Sequence, residues 1–502
     1  MIYTPETLTT KDLRCDVVVV GSGAGGAAAA WSLSAAGYDV LCLEAGAHYT
    51  ERDFSQDFGR GSTQLYEEAG QRLMHGNLFV PVAGARCLGG STVVNSGICF
   101  RIPESRFDLW KEKQGLDFSF DDLISKTKFV ERTIGVAPSN PAVWGGNNAF
   151  CQKGLEELGW SGGPMPRNAP ACVGCGACGT GCPTGAKMSV AKTFIPKSEE
   201  FGTRYLTRTR VVEFLRDGDR VTGVRANLIE GTDEGVIGEV TVRAKAVVVA
   251  GGAIQSPHLL LRNGVGNRHV GEHLHVHLAT GCIATAPNDI LGWRGIPQGF
   301  YSDEFLASDE MIIESFWATP EVFFQSFPFG DEGLQKMLDF HRIVGCGGTI
   351  ADKSEGRVTA GDSPSRAKVQ YDVGEEDKKR LVRLAARVAE LLLAAGATDV
   401  MSGVYGVPPL NSMDEVRQYL DPESVRTKQL MLVYSSHPQG TLRMGTDPSQ
   451  SAVDCSGKVH GVDGLYVMDA SVFPDVLGVN PQVTVMALSL LLAGRLADSL
   501  SQ

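Results

Sequence analysis

Residues 15–21 read CDVVVVG, and glycines stand at 21, 23 and 26. The valine run is continuously apolar, as a short strand buried inside a parallel sheet must be. AAAAWSLSAAG after it predicts a helix ending near Gly37, and YDVLCLE predicts a second strand ending at Glu44. G-x-G-x-x-G alone is a weak signal. Between a strand and a helix, with an acid about twenty residues on, it marks a dinucleotide-binding unit. Gly21, Gly23 and Gly26 let the backbone approach a pyrophosphate at the helix N-terminus, and Glu44 would accept ribose hydroxyls. The alternative reading is a glycine-rich turn that binds nothing. The nucleotide reading commits the chain to an α/β fold on a Rossmann-like sheet.

Ala45 and Gly46, directly after Glu44, shift the expected nucleotide from NAD toward FAD. A late strand, GLYVMD, ends at Asp469 within VDGLYVMDASVFP (462–474), the shape of a return to the nucleotide domain near the chain's end. TVRAKAVVVAGGAIQSP (241–257) predicts another buried strand with glycines at its end, Gly251 among them.

Four cysteines, Cys172, Cys175, Cys178 and Cys182, stand in CVGCGACGTGCP. The spacing C-x2-C-x2-C-x3-C-P is the ligand run of bacterial ferredoxins and points to an iron–sulfur cluster. A zinc loop or a knuckle without metal stays open beside it. The preceding SGGPMPRNAPA predicts loop rather than helix.

The net charge of −12 and a pI of about 5.4 leave no basic field for nucleic acid. At 502 residues the chain has room for two or three domains. The other eight cysteines are scattered, as buried free thiols are, which fits a reducing compartment. The first residues lack a basic stretch followed by an apolar one, so cytoplasm is the expected location. No stretch approaches 18 uninterrupted apolar residues, so no membrane span is expected.

Several motifs fall into one order. AGARCLGGSTVVN (83–95), AGGAIQSPHLLLRNGVG (250–266), VGEHLHVH (270–277), HPQGTLRMG (437–445) and GVNPQVTVMAL (478–488) together resemble the glucose–methanol–choline (GMC) oxidoreductases. The cysteine run is similar to a variant found in bacterial alcohol dehydrogenases and long-chain fatty alcohol oxidases of that family. The resemblance implies a discontinuous FAD domain (1–160, 190–290 and 430–502), a cysteine-rich excursion (161–189) and a substrate domain on an antiparallel sheet (291–429). It places Arg86, Gly89, Gly90, Asn95, Val212, Asp469, Ala470, Asn480 and Pro481 among the cofactor-binding residues. Val94 stands where some members attach FAD through a histidine, which implies noncovalent FAD.

The resemblance also implies the catalytic pair. His437 would take the hydroxyl proton, and Asn480 would hold the forming alkoxide while hydride leaves for the flavin. Glu314, in the aromatic run MIIESFWATPEVFFQSFPFG (311–330), is a further candidate as a partner of His437. The aromatic run suits an apolar or aromatic alcohol. His273, His275 and His277 alternate, which on a strand would set them on one face as metal ligands; the resemblance instead implies that His277 is the family's terminal His and that His273 replaces its Asn near the FAD. EEDKKRLVRLAARVAELLLAAG (375–396) predicts an amphipathic helix with a solvated cationic face. The expectation is an FAD-dependent alcohol dehydrogenase whose electrons leave to a quinone, cytochrome or partner protein. An oxidase that reduces O2, and a lyase or photodecarboxylase of the same fold, are its rivals.

Overall fold

Backbone hydrogen bonding in the computed structural model builds three sheets of four or six strands; all residues are described except 232–234, 319, 325, 326 and 328. Thr319, Gln325, Ser326 and Pro328 of the aromatic run therefore lie outside the described residues.

The first sheet is wholly parallel, in the order Ile2–Tyr3, Arg204–Leu206, Val40–Leu43, Val17–Val20, Ala246–Val249, Leu465–Val467. Its strands come from both ends of the chain, so the nucleotide domain is discontinuous. Val17, Val18 and Val19 are fully buried, as are Val247, Val248 and Val249 beside them. Helix Ala24–Ala35 packs on Val17–Val20 and Val40–Leu43, and strands Thr209–Asp217 and Arg220–Ile229 pack on Val40–Leu43 and Ala246–Val249, which is why the strands carry no polar alternation.

The first helix, Ala24–Ala35, starts from an N-cap at Gly23. Two of its glycines set how closely it packs. A Cβ on Gly26 would lie 2.0 Å from the Gly21 carbonyl oxygen, and one on Gly25 would lie 2.1 Å from that of Met468. Gly26 therefore serves helix–strand packing. The C-terminal helix, Gln482–Leu500, lies against Ala24–Ala35 and Phe120–Ile134. It is long and apolar enough to cross a membrane by length and composition alone, with Arg495 and Asp498 interrupting its apolar run. In the fold it is a core helix, with residues 482–493 all buried.

A second sheet joins Thr209–Asp217, Arg220–Ile229 and Val236–Arg243 as antiparallel neighbours, with Asp12–Arg14 parallel at its edge. The third sheet is antiparallel throughout: Thr398–Met401, Ala279–Thr285, Ile343–Ile350, Met311–Ser315, Phe300–Ser302, Gly163–Pro164. Helix Glu375–Ala394 packs against it, and helix Gly145–Leu158 against both. These memberships divide the chain differently from the sequence reading. Ala279–Thr285 and Gly145–Leu158 belong with the antiparallel sheet, and Gly163–Pro164 ties the cysteine-rich excursion to its edge. Nor are all the cations of Glu375–Ala394 solvated. Lys378 and Arg380 are buried, Lys378 donating to the Pro422 carbonyl at 2.7 Å and Arg380 to the Asp309 carbonyl at 2.6 Å.

Replacing Gly26 with alanine forces the helix away from the first strand. Overpacking of this kind costs about 1–3 kcal/mol. We expect a lower thermal midpoint together with reduced flavin content, read by differential scanning fluorimetry and by absorbance of the purified variant.

Candidate active site

A cavity of about 800 Å³ opens between the carboxyl edge of the parallel sheet and the antiparallel sheet. Ligands bind open α/β sheets at this edge. Every predicted cofactor or catalytic residue except Gly26 and Gly89 lines it: Gly21, Gly23, Glu44, Ala45, Arg86, Gly90, Asn95, Val212, Gly251, Asp469, Ala470 and Pro481, with Glu314, His437 and Asn480. Gly89 stands behind the wall, its N–H donating to Ser22 Oγ at 3.0 Å with φ at 95°.

The nucleotide wall fits a dinucleotide. Gly21 has φ of 99°, and a Cβ there would lie 2.5 Å from the Ala250 carbonyl oxygen; a Cβ on Gly90 would lie 2.8 Å from the Gly23 Cα. Side chains are thus excluded where a pyrophosphate must approach. Glu44 is buried, which raises its pKa. Its carboxyl accepts from Ser22 N–H at 3.0 Å, Ser22 Oγ at 2.6 Å and Gly46 N–H at 2.8 Å. Asp469 accepts from Gly252 N–H, Ser256 Oγ and Ser471 N–H at 2.8, 2.5 and 2.8 Å, fixing the turn that follows Ala246–Val249.

The opposite wall carries a chain of hydrogen bonds with a definite direction. Leu477 N–H donates to Gln439 Oε1 at 2.8 Å, which fixes the Gln439 amide. Its Nε2 then donates to the His437 carbonyl at 3.1 Å and faces His277 Nε2 at 3.2 Å. Gly478 N–H donates to the same His277 Nε2 at 2.8 Å. His277 is buried, and desolvation holds its pKa well below the usual histidine range, so the ring is neutral. With Nε2 accepting, its hydrogen resides on Nδ1. That Nδ1 lies 3.2 Å from His437 Nδ1, which must accept. Burial pushes His437 down to about 4. The neutral His437 ring thus carries its hydrogen on Nε2, the nitrogen left without a partner among the described residues. This is the reverse of the polarity that sequence analysis expects of a base. Gln439 was missed, although its place two residues after His437 in one motif was a signal; His277 was read as a family position or a metal ligand.

Glu314 lines the cavity from strand Met311–Ser315. Its Oε2 accepts from Gln298 Nε2 at 2.9 Å, while Oε1 is buried without a partner among the described residues. Burial raises its pKa to about 7, opposed by the neighbouring Asn480 and Gln298 amides. Asn480 does not cap the final helix, whose N-cap is Pro481, so its side chain is left to the cavity, with Oδ1 also unpartnered.

The cysteine loop is a wall of the same cavity. Gly176, Ala177, Gly179 and Thr180 line it, and Tyr66 Oη donates to the Gly179 carbonyl at 2.7 Å. Among the described residues no group of three or more ligating side chains is placed to hold a metal ion, so the geometry does not carry the metal reading of Cys172, Cys175, Cys178 and Cys182. Two cations are buried there instead. Arg167 donates to Cys178 Sγ at 3.3 Å and to the Ser96 carbonyl at 2.8 Å. Lys187 Nζ donates to the carbonyls of Asn95 and Cys178 at 2.6 and 2.8 Å. Burial lowers the Lys187 pKa to about 8, against the pull of Cys178 and Cys182.

The three alternating histidines do not share a face. His273 and His277 have φ of 63° and 51°, so the segment is no strand and the rings diverge. His273 Nε2 lies 3.0 Å from His269 Nδ1, with Glu355 at 2.8 Å from its other nitrogen. His275 sits between Asp352 at 3.3 Å and Asp475 at 3.2 Å. Burial disfavours its charge, but the two carboxylates outweigh that and push it up to about 10.

Two segments match the model of the GMC oxidoreductase family, residues 62–279 and 352–489, and residues 19–76 match that of NAD(P)-binding Rossmann-like domains. An uncharacterised GMC-type oxidoreductase of Mycobacterium tuberculosis is 36% identical over 484 residues, covering 96% of this chain and 75% of its own. A long-chain-alcohol oxidase of Arabidopsis thaliana is 27% identical over 521 residues, covering 97% and 68%. Among solved structures, pyridoxine 4-oxidase from Mesorbium loti superimposes with a TM-score of 0.72 at 21% identity over 96% of this chain and 99% of its own. An Aspergillus oryzae formate oxidase variant studied for FAD modification superimposes at 0.75 and 16%, over 98% and 99%.

The His275 arrangement has a signature in stability. Its folded pKa of about 10 stands above the unfolded value of 6.5. The stabilisation is complete below pH 6.5 and is lost as pH rises toward 10. We expect the thermal midpoint to fall across that window, and to fall less steeply in His275→Asn.

Proposed function

We propose that this chain, which belongs to the GMC oxidoreductase family, oxidises an apolar alcohol with noncovalently held FAD. Members of the family are enzymes that act on CH–OH donors. The observation that carries the reading is one cavity whose wall joins a dinucleotide cradle (Gly21, Gly23, Glu44, Gly90) to His437, Asn480 and Glu314. When bound, FAD accepts the carbon-bound hydrogen with its electron pair. The chain supplies the rest. The glycines admit the pyrophosphate, and Val94, which lines the cavity, offers no nucleophile for a covalent link. His437 Nε2–H and the Asn480 amide hold the substrate oxygen and favour the charge that develops on it.

Trp293, Phe316 and Trp317 line the substrate side of the cavity. An apolar wall of this kind favours a hydrocarbon alcohol over a sugar, whose hydroxyls it would strip of water. The Arabidopsis long-chain-alcohol oxidases support the same choice. We take dioxygen as the electron acceptor, because relatives and neighbours with assigned activities are named as oxidases. The reading from sequence, a dehydrogenase serving a quinone, cytochrome or partner protein, stands second. Arg167 and Lys187, buried beside Cys172, Cys178 and Cys182 and without a carboxylate partner among the described residues, support it, since buried cations call for negative charge nearby.

Anaerobic mixing with straight-chain alcohols should bleach the flavin, with efficiency rising with chain length. A flavin left oxidised by every alcohol would defeat the proposal and favour a lyase or photodecarboxylase. Under air, one peroxide per alcohol consumed supports the oxidase; dye reduction without peroxide supports the dehydrogenase. His437→Ala should keep its flavin and lose about 10²–10³ in kcat, the usual cost of deleting one oxyanion donor.

A further inference from the structure

We propose that Trp293 sets the alcohol chain length this site accepts, because the hydrocarbon tail of the substrate leaves the cavity between Trp293 and the cysteine loop. The inference deepens the apolar-alcohol reading and rests on it.

A cavity of about 800 Å³ is the size that encloses one drug-sized ligand. FAD, with two ring systems joined through a pyrophosphate, is larger than most such ligands. With FAD seated, a short alcohol fits beside it and a long one does not. The tail of a long alcohol must therefore leave through an opening in the wall.

Two ends of the cavity compete for that tail. At the nucleotide end the lining includes Arg210 and Arg262, and a hydrocarbon there would strip charged groups of water. The substrate end is aromatic. Trp317 is buried, Trp293 is 43% exposed, and both line the cavity. Phe340 joins them. Its ring centroid lies 5.3 Å from that of Trp317 and 6.0 Å from that of Trp293, the latter pair stacked at 6°. The Gly292 backbone rests on the Trp317 indole, where a Cβ would stand 2.4 Å from the ring. An apolar strip thus runs from the interior to solvent. Lining the cavity and reaching solvent at once, Trp293 stands at its mouth.

The cysteine loop forms the other side of that mouth, since its Gly176 and Ala177 also line the cavity. Gly295 N–H donates to the Gly174 carbonyl at 3.0 Å. A Cβ on Gly176, whose φ is 75°, would lie 3.3 Å from the Trp293 carbonyl oxygen. Gln56 lines the cavity as well, and its side-chain amide donates to the Cys175 carbonyl. These contacts hold the loop at a glycine's distance from Trp293, and its small residues leave room beside the indole. The loop thereby has a task that depends on its glycines rather than on its thiols.

Each methylene laid against the aromatic strip strengthens binding about fourfold. A tail that passes beyond Trp293 lies in water and gains nothing more. Selectivity for length therefore rises along the strip and ends at the outer edge of the indole.

The test uses the FAD-loaded enzyme with straight-chain alcohols from butanol to hexadecanol. Wild-type kcat/KM should rise with chain length and then level. Trp293→Ala should lower the dodecanol-to-butanol ratio of kcat/KM about tenfold, the loss of one to two methylene contacts, with the change carried by KM. Trp293→Phe should restore most of that ratio. Ala177→Leu, which fills the mouth from the loop side, should lower it. Binding without turnover gives a second readout, on enzyme reduced with dithionite, which cannot oxidise an alcohol. Trp293 is the most exposed of the six tryptophans, so acrylamide quenching reports on it. Dodecanol should protect that emission, butanol should not, and Trp293→Phe should lack the effect. A ratio that Trp293→Ala and Ala177→Leu both leave within about twofold of wild type, an equal fall for both alcohols, or emission that dodecanol fails to protect would overturn the proposal. A wild-type flavin that no alcohol bleaches would instead defeat the alcohol reading itself.

Discussion

Close approach of peptide backbone at the carboxyl edge of the parallel sheet governs the rest of this molecule. Three glycines carry it. Gly21 turns the chain with φ of 99°, Gly25 admits the Met468 carbonyl, and Gly26 admits the Gly21 carbonyl. Because no side chain intervenes, helix Ala24–Ala35 rests on the end of Val17–Val20. The late segment after Leu465–Val467 meets the same point from the far end of the chain. The cradle and the His437–Asn480 wall become parts of one cavity through this meeting. A methyl group at any of these positions would separate walls that the chemistry needs together.

Once the walls are joined, backbone N–H groups set the polarity of the site. Leu477 and Gly478 belong to the turn before the final helix, and their amides orient Gln439 and His277. The orientation passes through the His277 imidazole to His437, and neither ring carries a charge. Both rings are neutral because burial disfavours imidazolium. A neutral relay fixed at its root by peptide groups resists reversal more firmly than one based on mobile side chains. The same burial acts in the opposite sense on Glu314, raising a carboxyl toward neutrality. Two titratable groups in one cavity thereby exchange their usual order of pKa, the carboxyl standing above the imidazole.

The histidines and cysteines show where periodicity misleads. His273, His275 and His277 alternate as ligands on a strand would. Positive φ at His273 and His277 breaks the alternation, and the rings serve three different partners. Asp352 and Asp475, which hold His275, are separated by more than a hundred residues of chain. The cysteine run has ligand spacing, yet its described side chains form no metal group. Arg167 donates to two of its sulfurs, and Lys187 lies buried within the same excursion. Spacing states which residues can meet; the turns between them state whether they do.

The sequence by itself determined the nucleotide half. Apolar continuity in CDVVVVG, the glycine spacing and Glu44 are local properties, since strand burial and tight turns are written in adjacent residues. Helix Gln482–Leu500 was legible for the same reason, although its length and apolar character also fit a membrane span until packing against Ala24–Ala35 placed it in the core. Only the tertiary structure decided which way the His277–His437 relay points, that Glu314 keeps an unpartnered oxygen in the cavity, and that Ala279–Thr285 joins the antiparallel sheet. Those outcomes depend on hydrogen-bond direction and desolvation, and both are fixed by groups far apart in sequence that meet only when the chain has folded.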